Sequence, residues 1–167
     1  REKLKPAIVH TTSGPGGTNA ITGVVGAWID SIPTMIISGQ VPSVQQINTT
    51  KTRQIGVQEA DIIKIVKSST KFSYTLKDES KTLEVLEKAY QKMLEGRPGP
   101  VWIDVPLDVQ AKKIYIIKKN KKNNLKKKRI KKLDIKINKM INLISDSQKP
   151  VIIAGNGIHI SKSKGQF

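Results

Sequence analysis

The sequence predicts an α/β fold built on a parallel sheet, and three observations predict it. Short, almost wholly apolar runs at Ala7-Ile8-Val9, Thr34-Met35-Ile36-Ile37-Ser38 and Val101-Trp102-Ile103-Asp104-Val105 read as buried strands. Between the first two, Ile21, Val24, Val25, Trp28 and Ile29 recur at i, i+3, i+4, i+7 and i+8, the stripe of an amphipathic helix. A glycine turn, Ser13-Gly14-Pro15-Gly16-Gly17-Thr18-Asn19, stands at the carboxyl end of the first strand. That is the end at which open α/β sheets take their ligands.

The remaining elements follow in order. Pro33 closes the first helix, and the second strand runs on into Gly39-Gln40. From Val41 to Ser73 the chain reads as a polar loop and a short amphipathic piece through Ile62, Ile63, Ile65 and Val66. Lys71 to Leu76 suits a strand. Leu83, Leu86, Tyr90, Met93 and Leu94 keep helical spacing, with Gly96 placed as the C′ glycine. In the strand that follows, bracketed by prolines, Trp102 reads as core packing. Asp104 reads as structural, with no partner for acid–base work. Leu133, Ile137, Met140, Ile141 and Ile144 form another apolar stripe, Lys149-Pro150 punctuates, Val151-Ile152-Ile153-Ala154 reads as a buried strand, and Gly155-Asn156-Gly157 turns sharply.

The first glycine turn suits a ring better than a phosphate. A phosphate nest needs successive backbone N–H donors, and Pro15 supplies none in its middle. The spacing misses both the dinucleotide fingerprint and the P-loop, which needs a Lys after the last Gly. A Gly-Pro-Gly backbone instead offers a flat apolar shelf, and Asn19 offers a donor and an acceptor to a heterocycle. The plainer alternative is a tight turn with Thr18 or Asn19 as helix cap.

Composition bounds the function. The net charge of +17 suggests nucleic acid at first sight. Twelve of the thirty basic residues, however, lie between Lys112 and Lys132 with no acid among them; the other eighteen face thirteen acids, leaving +5. The charge belongs to one segment that reads as a solvated linker. Tyr115 is its only ring, so stacking platforms for bases are missing and a nucleic-acid partner is not expected. No cysteine is present, which excludes disulfides and thiolate metal sites. Without a signal-peptide pattern or a run of about 18 apolar residues, the expectation is a cytoplasmic protein with no membrane partner.

Residues Thr12–Asn19, followed by Ala27-Trp28-Ile29-Asp30-Ser31-Ile32-Pro33 and Ser38-Gly39-Gln40-Val41, closely resemble the pyrimidine-binding domain of thiamine-diphosphate-dependent enzymes. Within that superfamily the chain is most similar to the acetolactate synthase large subunit and its relatives. Gln58-Glu59 and Gly96-Arg97-Pro98-Gly99-Pro100-Val101-Trp102-Ile103-Asp104-Val105-Pro106 match further blocks in the right order. The resemblance implies a three-layer parallel-sheet thiamine-diphosphate-binding fold, lacking its start, over residues 1–110. A Lys-rich linker over 111–133 and the first α-β unit of a Rossmann-like central domain over 134–167 would follow.

It also implies a site. Pro15 and Asn19 would contact the aminopyrimidine, Gly14 and Gly16 would permit close approach, and Gln58 would lie near the cofactor and substrate channel. For Gln58 an ordinary exposed loop glutamine is the competing reading. Gly155 and Gly157 are candidate flavin contacts, because some relatives carry FAD there. His159 beside them reads as a surface residue, and His10, near the first strand end, shows no catalytic partner. The family's catalytic Glu would precede Arg1, and its Mg²⁺ site, a Gly-Asp-Gly motif, is absent from this sequence, so no catalytic or metal residue is expected here. The chain begins at Arg1 without an initiator Met, so a piece of a longer protein, inactive alone, is the expectation.

The implied reaction is decarboxylation of a 2-keto acid such as pyruvate and transfer of the two-carbon unit to a second keto acid. The parent would be a homo-oligomer, with Ala20, Gly23 and Ala27 as a small-residue face for a partner helix. Arg53-Gln54-Ile55-Gly56-Val57 departs from acetolactate synthases proper toward relatives in nucleotide-sugar and polysaccharide pathways, which keeps another decarboxylase or lyase open as the alternative. A non-catalytic anion-binding remnant using the lysine block is a third.

Overall fold

The computed structural model describes residues 5–47, 52–115 and 133–166, which fall into two compact units divided at Lys121 and Lys122. Most of the Lys-rich segment, 116–132, lies outside the described residues.

In the first unit, β1 (Ala7–Thr11), α1 (Pro15–Ile29), β2 (Thr34–Gln40), α2 (Ile62–Val66), β3 (Phe72–Thr75), α3 (Thr82–Leu94), β4 (Val101–Pro106) and α4 (Leu107–Gln110) follow in sequence. The four strands make one sheet in the order β1-β2-β4-β3, every pair parallel. Parallel pairing requires crossovers, and the helices that supply them cover both faces. Val24, Ile36, Ile62, Val66 and Trp102 form the core on the α1–α2 face. Met35, Leu76, Val85, Ala89, Met93, Val101, Ile103 and Val109 form the core on the α3 face. This is the expected three-layer α/β domain.

Two strands differ from each other in burial. β2 and β4 are buried as predicted, whereas β1 is the sheet edge and its Ile8 and Val9 are exposed, Ile8 at 71%. Among the described residues β1 has a strand neighbour on one side only, so its side chains lack the flanking rows that help to bury β2 and β4.

Both long helices are rotated from their predicted stripes. α1 buries Gly17, Val24 and Ala27, while Val25, Trp28 and Ile29 are exposed. α3 buries Val85, Ala89 and Met93, leaving Leu83 and Tyr90 exposed. In each case small residues (Ala27, Ala89) face the sheet, because close backbone approach there outweighs the larger side chains one position away. The predicted small-residue face therefore splits: Ala20 and Ala27 pack inward, and Gly23 alone of the three looks into open space.

α1 also ends before Pro33. Asp30 is its C-cap and Ser31 turns the chain with φ 58°. Arg97 secures this end, donating from Nε to Ser31 Oγ at 2.5 Å and from Nη2 to the Ile29 carbonyl at 2.9 Å. At the end of α3, Gly96 takes φ 63° as the C′ residue, as predicted.

The second unit contains α5 (Leu133–Ser145) and α6 (Gly157–Ile160). The predicted helix forms, but Leu133, Ile137, Met140, Ile141 and Ile144 are all exposed. The predicted strand at 151–154 does not: these residues have no strand partner among the described residues, and Val151, Ile152 and Ile153 are exposed. An apolar tetrapeptide becomes a strand only when a neighbouring strand completes its hydrogen bonds. No described helix is long and apolar enough to cross a membrane.

Candidate functional site

The glycine turn is shorter than predicted because the helix takes most of it. α1 starts at Pro15, and Gly14 is its N-cap with φ 54°, in the left-handed region that favours glycine. Proline suits the first helical position, where its missing N–H has no intrahelical partner to lose and its fixed φ is already helical. Thr18 and Asn19 are thus inside the helix, and neither is its N-cap. Thr18 Oγ1 instead donates back to the Pro15 carbonyl at 3.2 Å.

Gly14 and Gln58, forty-four positions apart, meet here. A Cβ on Gly14 would collide with the Gln58 carbonyl oxygen and stand 3.0 Å from the Gln58 Cβ. Gln58 itself has φ 58°, one of three positive-φ non-glycine residues among those described. A Cβ on Gly16 would press on the Thr12 side-chain methyl, which would have to turn aside, and Gly17 packs on Ile62 and on the Trp102 ring. At position 14 the need for glycine therefore arises within the chain. Pro15 and Asn19, one helical turn apart, are exposed beside this junction, as is Gln58. The amides of Asn19 and Gln58 make no hydrogen bond among the described residues.

The loop that delivers Gln58 is fixed by its neighbour. Glu59 accepts from the backbone N–H of Ile47 at 2.5 Å, Ile55 at 3.0 Å and Gly56 at 3.3 Å. In Gln58-Glu59, then, the glutamate folds the loop and the glutamine is presented by it.

Beneath the turn lies a buried polar chain. Trp102 Nε1 donates to Ser38 Oγ at 2.8 Å, and Ser38 donates to Asp104 Oδ1 at 2.5 Å. Gln40 Nε2 donates to Asp104 Oδ2 at 3.0 Å and to the Ala60 carbonyl at 2.9 Å, while Gln40 Oε1 accepts from Val41 N at 3.0 Å. Asp104 keeps the predicted structural character but is not isolated. Burial pushes its carboxyl up to about 6, against the opposing pull of the Ser38 and Gln40 hydrogen bonds, and Asp61 adds to the rise. These residues were missed as a group, although the pattern was present: polar residues at alternate positions in two apolar strands, brought level by the Ser38–Asp104 register.

The other predicted positions do not join this site. His10 pairs in register with Ile37, on the opposite face of the sheet from Ser38 and Asp104, and is exposed. A separate concavity of about 180 Å³ on the α3 face, lined by Ile37, Leu86, Ile103, Val105 and Val109, contains none of them. Gly155 and Gly157 stand in the second unit, and a Cβ on either would meet nothing within 4 Å. His159 beside them is exposed, as expected. No group of three or more His, Cys, Asp or Glu that could hold a metal exists among the described residues.

Residues 1–65 match the family model described as "Thiamine pyrophosphate enzyme, N-terminal TPP binding domain". The chain is 36% identical to the acetolactate synthase large subunit of Lactococcus lactis over 98% of its own length and 28% of the relative's. It is 35% identical to the chloroplastic acetolactate synthase of Arabidopsis thaliana, covering all of this chain and 25% of that one. With the large subunit of Buchnera aphidicola it shares 38% over its full length and 29% of the relative's. The chain thus spans between a quarter and a third of the length of these curated relatives. Its parallel sheet with flanking helices, its glycine-capped first helix and these matches together make it a homologue, across most of its length, of the acetolactate synthase large subunits, with the N-terminal TPP binding domain of the thiamine pyrophosphate enzymes at its start.

Proposed function

We propose that the junction of α1 with the Gln58 loop seats the aminopyrimidine ring of thiamine diphosphate, in a carboligase of the acetolactate synthase type. The observation that carries this reading is the contact of Gly14 with Gln58: it joins two separate sequence blocks at the carboxyl end of the sheet and leaves Pro15, Asn19 and Gln58 exposed around it. Their chemistry fits the ring. The Pro15 pyrrolidine gives an apolar face, and the Asn19 and Gln58 amides each give a donor and an acceptor for the edge of an aminopyrimidine. When bound, thiamine diphosphate supplies the electron sink for decarboxylating a 2-keto acid and passing its two-carbon unit to a second keto acid.

The chain's own part is binding and orientation. Among the described residues no cluster of acids could hold a metal, and this reading assigns proton removal and Mg²⁺ binding to other residues. The full protein works as a homo-oligomer; the exposed Val25, Trp28 and Ile29 along α1 support that reading. A monomer that turns over substrate in sedimentation and activity assays refutes it.

The test of the seat is a thiamine diphosphate titration of the protein expressed as the whole open reading frame containing this chain. Asn19→Leu removes one amide at the ring edge and raises the half-saturating concentration by about tenfold, the equivalent of one good hydrogen bond. Pro15→Phe obstructs the shelf and raises it further. Unchanged titration of both variants overturns the seat.

A further inference from the structure

Gln58 reaches the shelf in a backbone conformation that few side chains adopt, and something must hold it there. A residue in the left-handed region persists only when its surroundings determine it from more than one side. One restraint is the Glu59 carboxylate, which gathers three loop N–H groups. The other comes from inside the sheet. Gln40 sits at the end of β2, 8% exposed, and its single Nε2 group reaches both the Ala60 carbonyl and the Asp104 carboxylate. Its Oε1 is fixed in turn by Val41 N. Asp104 is an acceptor at both oxygens, for Ser38 at one and Gln40 at the other, so it dictates which way the Gln40 amide faces.

We propose that Gln40 and Asp104 are positioning residues for the cofactor seat: from the buried sheet they latch Ala60 and thereby hold Gln58 against Gly14. The proposal rests on the seat described above and deepens it. Neither residue touches the shelf. Their effect passes through two links, carboxylate to amide and amide to loop carbonyl. In an Asp104→Asn variant the new side-chain amide must place its N–H₂ group toward either Ser38 or Gln40. Toward Gln40 two donors face each other, the Gln40 amide turns over, and the Ala60 carbonyl keeps only its local hydrogen bond from Ile62 N and loses its tie to the sheet.

The experiment compares wild type, Gln40→Met and Asp104→Asn in the protein expressed as the whole open reading frame, by hydrogen exchange without cofactor and by thiamine diphosphate titration. Gln40→Met keeps the length of the side chain and removes both donors. The expected result is exchange at least tenfold faster in residues 54–61, with protection retained in residues 34–38 and 101–105. Half-saturation by thiamine diphosphate rises at least fivefold in the same variants, while the rate at saturating cofactor stays within twofold. Loop exchange equal to wild type in both variants overturns the latch, and so does exchange that rises equally in loop and sheet. A variant that fails to fold counts as that second result for its position, and the other variant then decides. Wild-type protein that binds no thiamine diphosphate overturns the functional reading alone, because the exchange measurement contains no cofactor.

Discussion

The carbonyl oxygen of Gln58 occupies the space in which a side chain on Gly14 would begin. Gly14 also has φ 54°, so two independent constraints exclude any other residue there. Gly14→Ala adds left-handed backbone strain and pushes the loop off the helix start, costing about 2–4 kcal/mol of stability. Urea unfolding at neutral pH reads this directly. A loss below about 0.5 kcal/mol, the ordinary range of surface substitutions, means that the contact does not determine the loop.

Gly23→Ala has the opposite sign. Gly23 lies in mid-helix on the exposed side of α1, where a Cβ meets nothing within 4 Å. Replacing it lowers the entropy of the unfolded chain and improves helix propensity, a gain of about 0.5–1 kcal/mol. Thermal or urea unfolding checks it, and destabilisation means that another surface packs closely on this position.

Arg97 joins the Gly96–Pro106 block to the first helix. Its guanidinium satisfies the Ile29 carbonyl and grips Ser31 at the point where the chain leaves α1 with positive φ. A cation at a helix C-terminus is also favoured by the helix dipole. Arg97→Ala is expected to cost about 1–2 kcal/mol in urea unfolding. Arg97→Lys recovers less than half of that, because an ammonium lacks the planar fork that serves both partners. Full recovery by lysine means that charge alone was acting.

Much of this domain was legible in the sequence, and for identifiable reasons. The runs at 34–38 and 101–105 became the central strands because a strand buried on two faces must be apolar throughout. The helices were found by their period, but their orientation was not. Periodicity counts Val25 and Trp28 as apolar, whereas packing selected Gly17, Val24 and Ala27 for closeness to the sheet. The start of α1 was misplaced because Gly-Pro-Gly reads as a turn until Pro15 is recognised as the first helical residue. The strand expected at 151–154 rests on composition alone, and no partner among the described residues completes it. For the proposed seat, Pro15, Asn19 and Gln58 come from their motif blocks, and the structure leaves all three exposed. The latch through Gln40 and Asp104 was not legible, since it depends on the register between β2 and β4.

Asp104 makes the domain's stability depend on pH in a direction that can be worked out. Its carboxyl titrates near 6 when folded, against 3.8 ordinarily, because burial disfavours the charged form. Between those values the folded state holds more of this proton than the unfolded state, so ∂ΔG/∂pH is negative. The contribution is fully present below about pH 4, falls as pH rises through about 6 and is constant above; two units correspond to about 3 kcal/mol at most. Asp78, Glu79 and Asp108 work the other way, since hydrogen bonds hold their carboxyls low. The difference between wild type and Asp104→Asn removes them, because all three are common to both proteins. Urea unfolding of the pair from about pH 4 to about pH 7 should show the wild type losing stability relative to the variant as pH rises. A difference that is flat across that window means the buried carboxyl ionises at the ordinary value, its hydrogen bonds fully offsetting its burial; a wild type that gains stability relative to the variant as pH rises means those hydrogen bonds outweigh the burial.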